Sequence, residues 1–119
     1  MKKRATLWVA GLMAVALTMG VAGSAWGHAP GTINVNFDPQ TKIVRIEVVH
    51  LVGAPARHYV NEIEVWLNDE LMIRQYFNRQ TGPKAQRVQY VMIDAHKGDT
   101  LKIKASCNLK GSHTRTLVL

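Results

Sequence analysis

The sequence predicts an all-β fold, an immunoglobulin-like antiparallel sandwich of about seven strands. Beyond residue 28 the apolar residues recur at every second position instead of at helical spacing, and Gly, Pro, Asn and Asp cut the alternating runs at short intervals. Period two marks strands with one face toward a core, and the interrupting residues are those that close turns. Seven such strands leave an apolar face on each sheet, which two stacked sheets cover for each other. A chain of 119 residues is short for two domains, and its single cysteine excludes an intramolecular disulfide framework or a Cys-x-x-Cys motif.

The first 27 residues stand apart. Lys2-Lys3-Arg4 precede an uncharged apolar stretch, 5–22, that ends in Gly23-Ser24-Ala25-Trp26-Gly27. Basic, apolar and small-residue regions in that order form a secretory signal peptide. Ala25 and Gly27 suit cleavage before His28, while Gly23 and Ala25 suit cleavage before Trp26. The expectation is an exported, periplasmic domain over 28–119, with no stable membrane insertion once the leader is removed. An uncleaved leader, close to the roughly 20 residues that cross a bilayer, would anchor the protein instead.

Along the mature chain the strands are read at 32–37, 42–49, 59–67, 70–77, 86–93, 100–106 and 113–118. Five show the alternation directly: Ile33, Val35 and Phe37; Val44, Ile46 and Val48; Ile63, Val65 and Leu67; Val88, Tyr90 and Met92; Leu101, Ile103 and Ala105. Between strands lie Asp38-Pro39-Gln40, the 51–57 loop with Gly53 and Pro55, Asn68-Asp69, the 78–85 loop with Gly82 and Pro83, the 94–99 turn with Gly98, and Asn108 to Gly111.

If every turn reverses the chain, counting reversals assigns each loop to one end of the sandwich. His28, His50, His58, Cys107, Lys110 and His113 then fall at one end, and His96 falls at the other. Imidazoles with one thiolate suit Fe(II), Cu or Zn, whereas Ca²⁺ and Mg²⁺ call for carboxylates, which those loops lack. The formal charge of +7 drops to +4 without the three basic residues of the leader. That modest surplus, without a recognition-helix pattern, argues against nucleic-acid binding, and no serine motif or carboxylate pair supports a hydrolase.

These residues resemble the iron domain of superoxide reductases, the neelaredoxin and desulfoferrodoxin family. The resemblance rests on His28-Ala29-Pro30, on His50 followed by His58-Tyr59-Val60 with Ile63-Glu64-Val65, and on Cys107-Asn108-Leu109 with Gly111. It implies an immunoglobulin-like sandwich around a mononuclear non-haem iron with an open sixth position. His28, His50 and His58 would be equatorial ligands and Cys107 the axial thiolate. It implies reduction of superoxide, a small anionic substrate, to hydrogen peroxide with electrons from an external donor protein. The family's fourth histidine is replaced by Lys110, leaving His113 as a candidate ligand and Lys110 as a catalytic, electrostatic guide for the anion beside Arg57, Arg79 and Lys84. A homo-oligomer is compatible with this reading.

Two other functions fit parts of the pattern. Cleavage before His28 would join its imidazole to a free α-amine, a chelate suited to a periplasmic copper or other metal carrier. The stretch His58 to Glu62 is similar to one in SoxZ sulfur-carrier subunits, which would imply a protein partner and no metal; the Cys-Asn-Leu motif argues against that reading.

Overall fold

A computed structural model of the protein describes residues 27–119; the predicted leader lies outside them except for Gly27. The described residues form seven strands: β1 (Ile33–Asp38), β2 (Ile43–Val49), β3 (Val60–Leu67), β4 (Glu70–Tyr76), β5 (Ala85–Val91), β6 (Thr100–Cys107) and β7 (Ser112–Val118). They make two antiparallel sheets, one ordered β1-β2-β5 and the other β4-β3-β6-β7. The predicted all-β sandwich is what forms.

The strand ends depart from the alternation pattern for local reasons. β5 stops at Val91 instead of 93 because the chain turns where Ala95 N–H donates to the Met92 carbonyl at 3.0 Å. β6 runs one residue further, to Cys107, because Cys107 still pairs with Val60. The β3–β4 hairpin turns on Asn68 and Asp69, whose φ angles of 48° and 68° are the pair of left-handed residues that a two-residue type I′ turn requires.

The two inner faces supply the core. Ile33, Val44, Ile46 and Val48 of the smaller sheet face Ile63, Val65, Leu101, Ile103 and Ala105 of the larger, none more than 2% exposed. Removing an aliphatic side chain of this kind from water contributes about 1.5–3 kcal/mol. In β3 the register slips between Val60 and Glu62, leaving Asn61 as an extra residue. That bulge lets Val60 and Ile63, three positions apart, both face inward although a regular strand would send them to opposite faces.

Where the chain changes sheets decides where chemistry can be built. It crosses over 50–59, between β2 and β3, and over 77–84, between β4 and β5, at one end of the sandwich, and over 92–99 at the other. The first two crossovers are bonded together: His50 N–H donates to the Lys84 carbonyl at 2.9 Å, Val52 N–H to the Pro83 carbonyl at 2.8 Å and Gln80 N–H to the Pro55 carbonyl at 3.0 Å.

Candidate metal centre

His50 and Cys107 continue the inward faces of their strands past the last core residues. His50 lies two positions after Val48, and Cys107 two after Ala105; His58 lies two before Val60. All three therefore sit at the crossover end, above the aliphatic core. His28 reaches the same end from the segment leading into β1, which is tied to β2 where Gly31 N–H donates to the Val49 carbonyl at 2.7 Å and Val49 N–H to the Thr32 carbonyl at 2.8 Å.

Three of the predicted residues meet. The His28 and His50 rings are 4.8 Å apart between centroids, His28 and His58 4.9 Å, and His50 and His58 4.7 Å. One nitrogen from each can be chosen so that all lie within 4.8 Å of one another. Nitrogens bound at about 2.1 Å to one tetrahedral metal stand about 3.4 Å apart, inside the 4.8 Å limit that the three satisfy.

The donor chemistry fits such an ion. His58 Nε2 is buried and has no hydrogen-bond partner, an arrangement that costs free energy unless something occupies the lone pair or takes the proton. Burial, then the neighbouring His50 and His28, hold the His58 pKa below the ordinary 6.5. The imidazole is thus kept neutral, the form that binds metals. No carboxylate belongs to the group, so its preference is for imidazole-binding transition metals over Ca²⁺ or Mg²⁺.

Cys107 stands outside that group of donor atoms. It is 8% exposed, and its Sγ accepts a hydrogen bond from Leu109 N–H at 3.4 Å. The next residue ties the cysteine's strand end to His58. Asn108 Oδ1 accepts from Tyr59 N–H at 2.9 Å, Asn108 Nδ2 donates to the Arg57 carbonyl at 2.9 Å, and Asn108 N–H donates to the Tyr59 carbonyl at 3.0 Å. The turn that follows closes where Cys107 N–H donates to the Gly111 carbonyl at 2.9 Å. Gly111 has φ +77°, and a Cβ there would lie 2.9 Å from Ala29 Cβ. Only glycine lets this turn lie against the segment that carries His28.

His113 is exposed and locked in β7 opposite Ala105, outside the triad. Ladder pairing that begins at Ser112 holds it there. Lys110, Arg57, Arg79 and Lys84 are exposed in the loops of the crossover end. His96 lies at the opposite end, with its N–H bonded to Asp99 at 2.8 Å.

Sequence reasoning missed Gln80, which is 2% exposed and sits against His50. His50 Nδ1 is 2.8 Å from Gln80 Oε1, which also accepts from Val60 N–H at 3.2 Å. Gln80 Nε2 donates to the carbonyls of His50 at 2.7 Å and Gly82 at 2.8 Å. A glutamine in a polar loop carries no pattern that would single it out.

No protein-family model matches the chain, and no curated protein matches it. Among solved structures it is similar to the superoxide reductase (1Fe-SOR) from Giardia intestinalis, with a TM-score of 0.56 and 19% identity over 79% of this chain and 99% of that one. At this identity the likeness establishes a common β-sandwich fold.

Proposed function

We propose that this chain is an exported mononuclear non-haem iron protein that reduces superoxide to hydrogen peroxide. The observation that carries the reading is the meeting of three imidazoles from separate parts of the chain, one of which, His58, has a buried, unpartnered Nε2. The similarity in fold to a superoxide reductase supports iron over other metals.

His28, His50 and His58 would hold the metal through imidazole nitrogens, and Cys107 would complete the set as a thiolate. Iron held there would supply one electron to superoxide, two protons would complete hydrogen peroxide, and an external donor protein would restore the electron. The protein's own part is to orient and to attract. The Leu109 N–H donates to Sγ at 3.4 Å and so orients the Cys107 side chain. Arg57, Arg79, Lys84 and Lys110 give the rim a positive potential that speeds the arrival of an anion and weakens with salt.

Anaerobically purified protein should contain about one iron per chain, and its oxidised form should show a thiolate-to-iron charge-transfer band that Cys107→Ser removes. Pulse-generated superoxide should disappear faster in the presence of the reduced protein, without release of O₂.

A second reading draws on the position of Cys107 outside the imidazole group. A three-histidine site without sulfur suits a copper or zinc carrier, and removal of the leader before His28 would add an α-amine donor. Stoichiometric copper, no iron and no superoxide turnover would decide for the carrier.

A further inference from the structure

We propose that Gln80 is a positioning residue that holds the single proton of neutral His50 on Nδ1, leaving Nε2 as the nitrogen offered to the metal. The proposal deepens the metal reading above and rests on it.

Three backbone groups around Gln80 have fixed hydrogen-bonding roles. Val60 N–H can only donate, and the carbonyls of His50 and Gly82 can only accept. Gln80 touches all three, at 3.2, 2.7 and 2.8 Å. Turning its amide over would set NH₂ against N–H and oxygen against two carbonyls. The orientation is therefore determined by the backbone, with Oε1 toward Val60 and Nε2 toward the carbonyls. The same Oε1 lies 2.8 Å from His50 Nδ1. As an amide oxygen it can only accept, so His50 must carry a proton on Nδ1. A neutral imidazole has one proton, and its lone pair is then on Nε2.

A competing acceptor exists. The His28 carbonyl is 3.1 Å from His50 Nε2 and would favour the other tautomer. The two acceptors differ in what holds them. Gln80 is buried, and its own N–H is bonded to the Pro55 carbonyl at 3.0 Å. His28 is itself exposed and lies ahead of the first strand bond, at Gly31. The anchored acceptor at the shorter distance holds the proton, and the His28 carbonyl must turn aside when Nε2 binds a metal. A histidine ligand whose far nitrogen donates to a fixed acceptor is oriented and made more basic, and loss of such a partner commonly costs 10–100-fold in metal affinity.

The test uses the full mature protein with Zn²⁺ alone as probe. Long-range ¹⁵N spectra of metal-free protein near pH 8 should show His50 protonated at Nδ1. In Gln80→Met the proton should move to Nε2, toward the His28 carbonyl, and Zn²⁺ affinity measured against a chromophoric chelator should fall 10–100-fold. Gln80→Glu keeps an acceptor facing Nδ1 but sets a second oxygen against the His50 and Gly82 carbonyls, so it should keep the Nδ1 tautomer in the ¹⁵N spectrum while lowering stability. An Nε2-protonated His50 in the metal-free wild type overturns the proposal, a measurement that needs no variant to fold. So does a folded Gln80→Met that binds Zn²⁺ as tightly as wild type, which leaves the metal reading intact. A wild type that takes up neither Zn²⁺ nor Fe²⁺ overturns the metal reading itself and this proposal with it.

Discussion

Asn108→Ala tests whether the clamp between the β6 end and the His58 segment is what fixes that histidine. The side chain makes two bonds across the turn, accepting from Tyr59 N–H at 2.9 Å and donating to the Arg57 carbonyl at 2.9 Å, so it grips both neighbours of His58. A net intramolecular hydrogen bond contributes about 0.5–1.5 kcal/mol. The Tyr59 N–H is partly buried and would be left poorly satisfied, which puts that bond near 1 kcal/mol. The Arg57 carbonyl is at the surface, where water replaces the lost donor, so about 0.5 kcal/mol is the share for that bond. The sum, about 1.5 kcal/mol, corresponds to a melting temperature lower by roughly 6–12 °C for a domain of this size. Asn108→Asp keeps the acceptor for Tyr59 and loses only the donor, so it should cost about a third as much. Urea unfolding of metal-free protein at pH 7 measures both. If Asn108→Ala unfolds at the wild-type midpoint, or if the Asp and Ala variants are indistinguishable, the clamp does not work through the acceptor as argued.

The remaining predictions address other parts of the same end and the sheet contact behind it. Gly111→Ala must place a Cβ 2.9 Å from Ala29 Cβ at φ +77°, and the left-handed conformation alone costs about 1–2 kcal/mol; chemical denaturation should show at least that loss, together with weaker metal binding as the His28 segment is pushed away. His58 is protonated less readily in the folded protein than in the unfolded chain, where its pKa is near 6.5. The unfolded state therefore binds more protons below that value, and the stability of metal-free protein should be full above pH 6.5 and decline as the pH falls; His58→Gln should flatten the decline in urea midpoints between pH 7 and 5. Tyr90, whose hydroxyl donates to Gln75 at 2.5 Å, has its pKa pushed up by burial from 10.0 to about 12. Its contribution to stability is present below pH 10 and is lost as the pH rises toward 12, so Tyr90→Phe should be less sensitive to alkaline unfolding and should lack the phenol that titrates near pH 12 in an absorbance titration.

The fold was legible because sandwich strands write their burial into the sequence at period two. Val44, Ile46 and Val48 announce β2, and Leu101, Ile103 and Ala105 announce β6; continued two residues further, the same parity places His50 and Cys107 above the core. For β3 the rule fails between Val60 and Ile63, because the bulge at Asn61 changes parity without leaving a sequence signal. Counting chain reversals brought the right loops to one end because both long crossovers, 50–59 and 77–84, do lie there. It could not separate His28, His50 and His58, which meet, from His113, which shares their end but is held in an edge-strand ladder. Sharing an end is a property of topology, whereas coordination needs agreement within tenths of an ångström.

That finer agreement depends on residues whose identity is chosen by backbone groups from distant parts of the chain. Gln80 is where it is because Val60 offers a donor while His50 and Gly82 offer acceptors, and a planar amide with one acceptor and one donor end satisfies all three. Asn108 solves the same problem at Arg57 and Tyr59. In both cases an amide side chain joins two loops and fixes a histidine between or beside the groups it bonds, so the polar atoms that close the crossovers also set the geometry of the imidazoles. This coupling makes a direct demand: a substitution at Gln80 that disturbs the metal site must also loosen the 77–84 crossover, while one at Asn108 must act through His58 and leave the His50 proton on Nδ1.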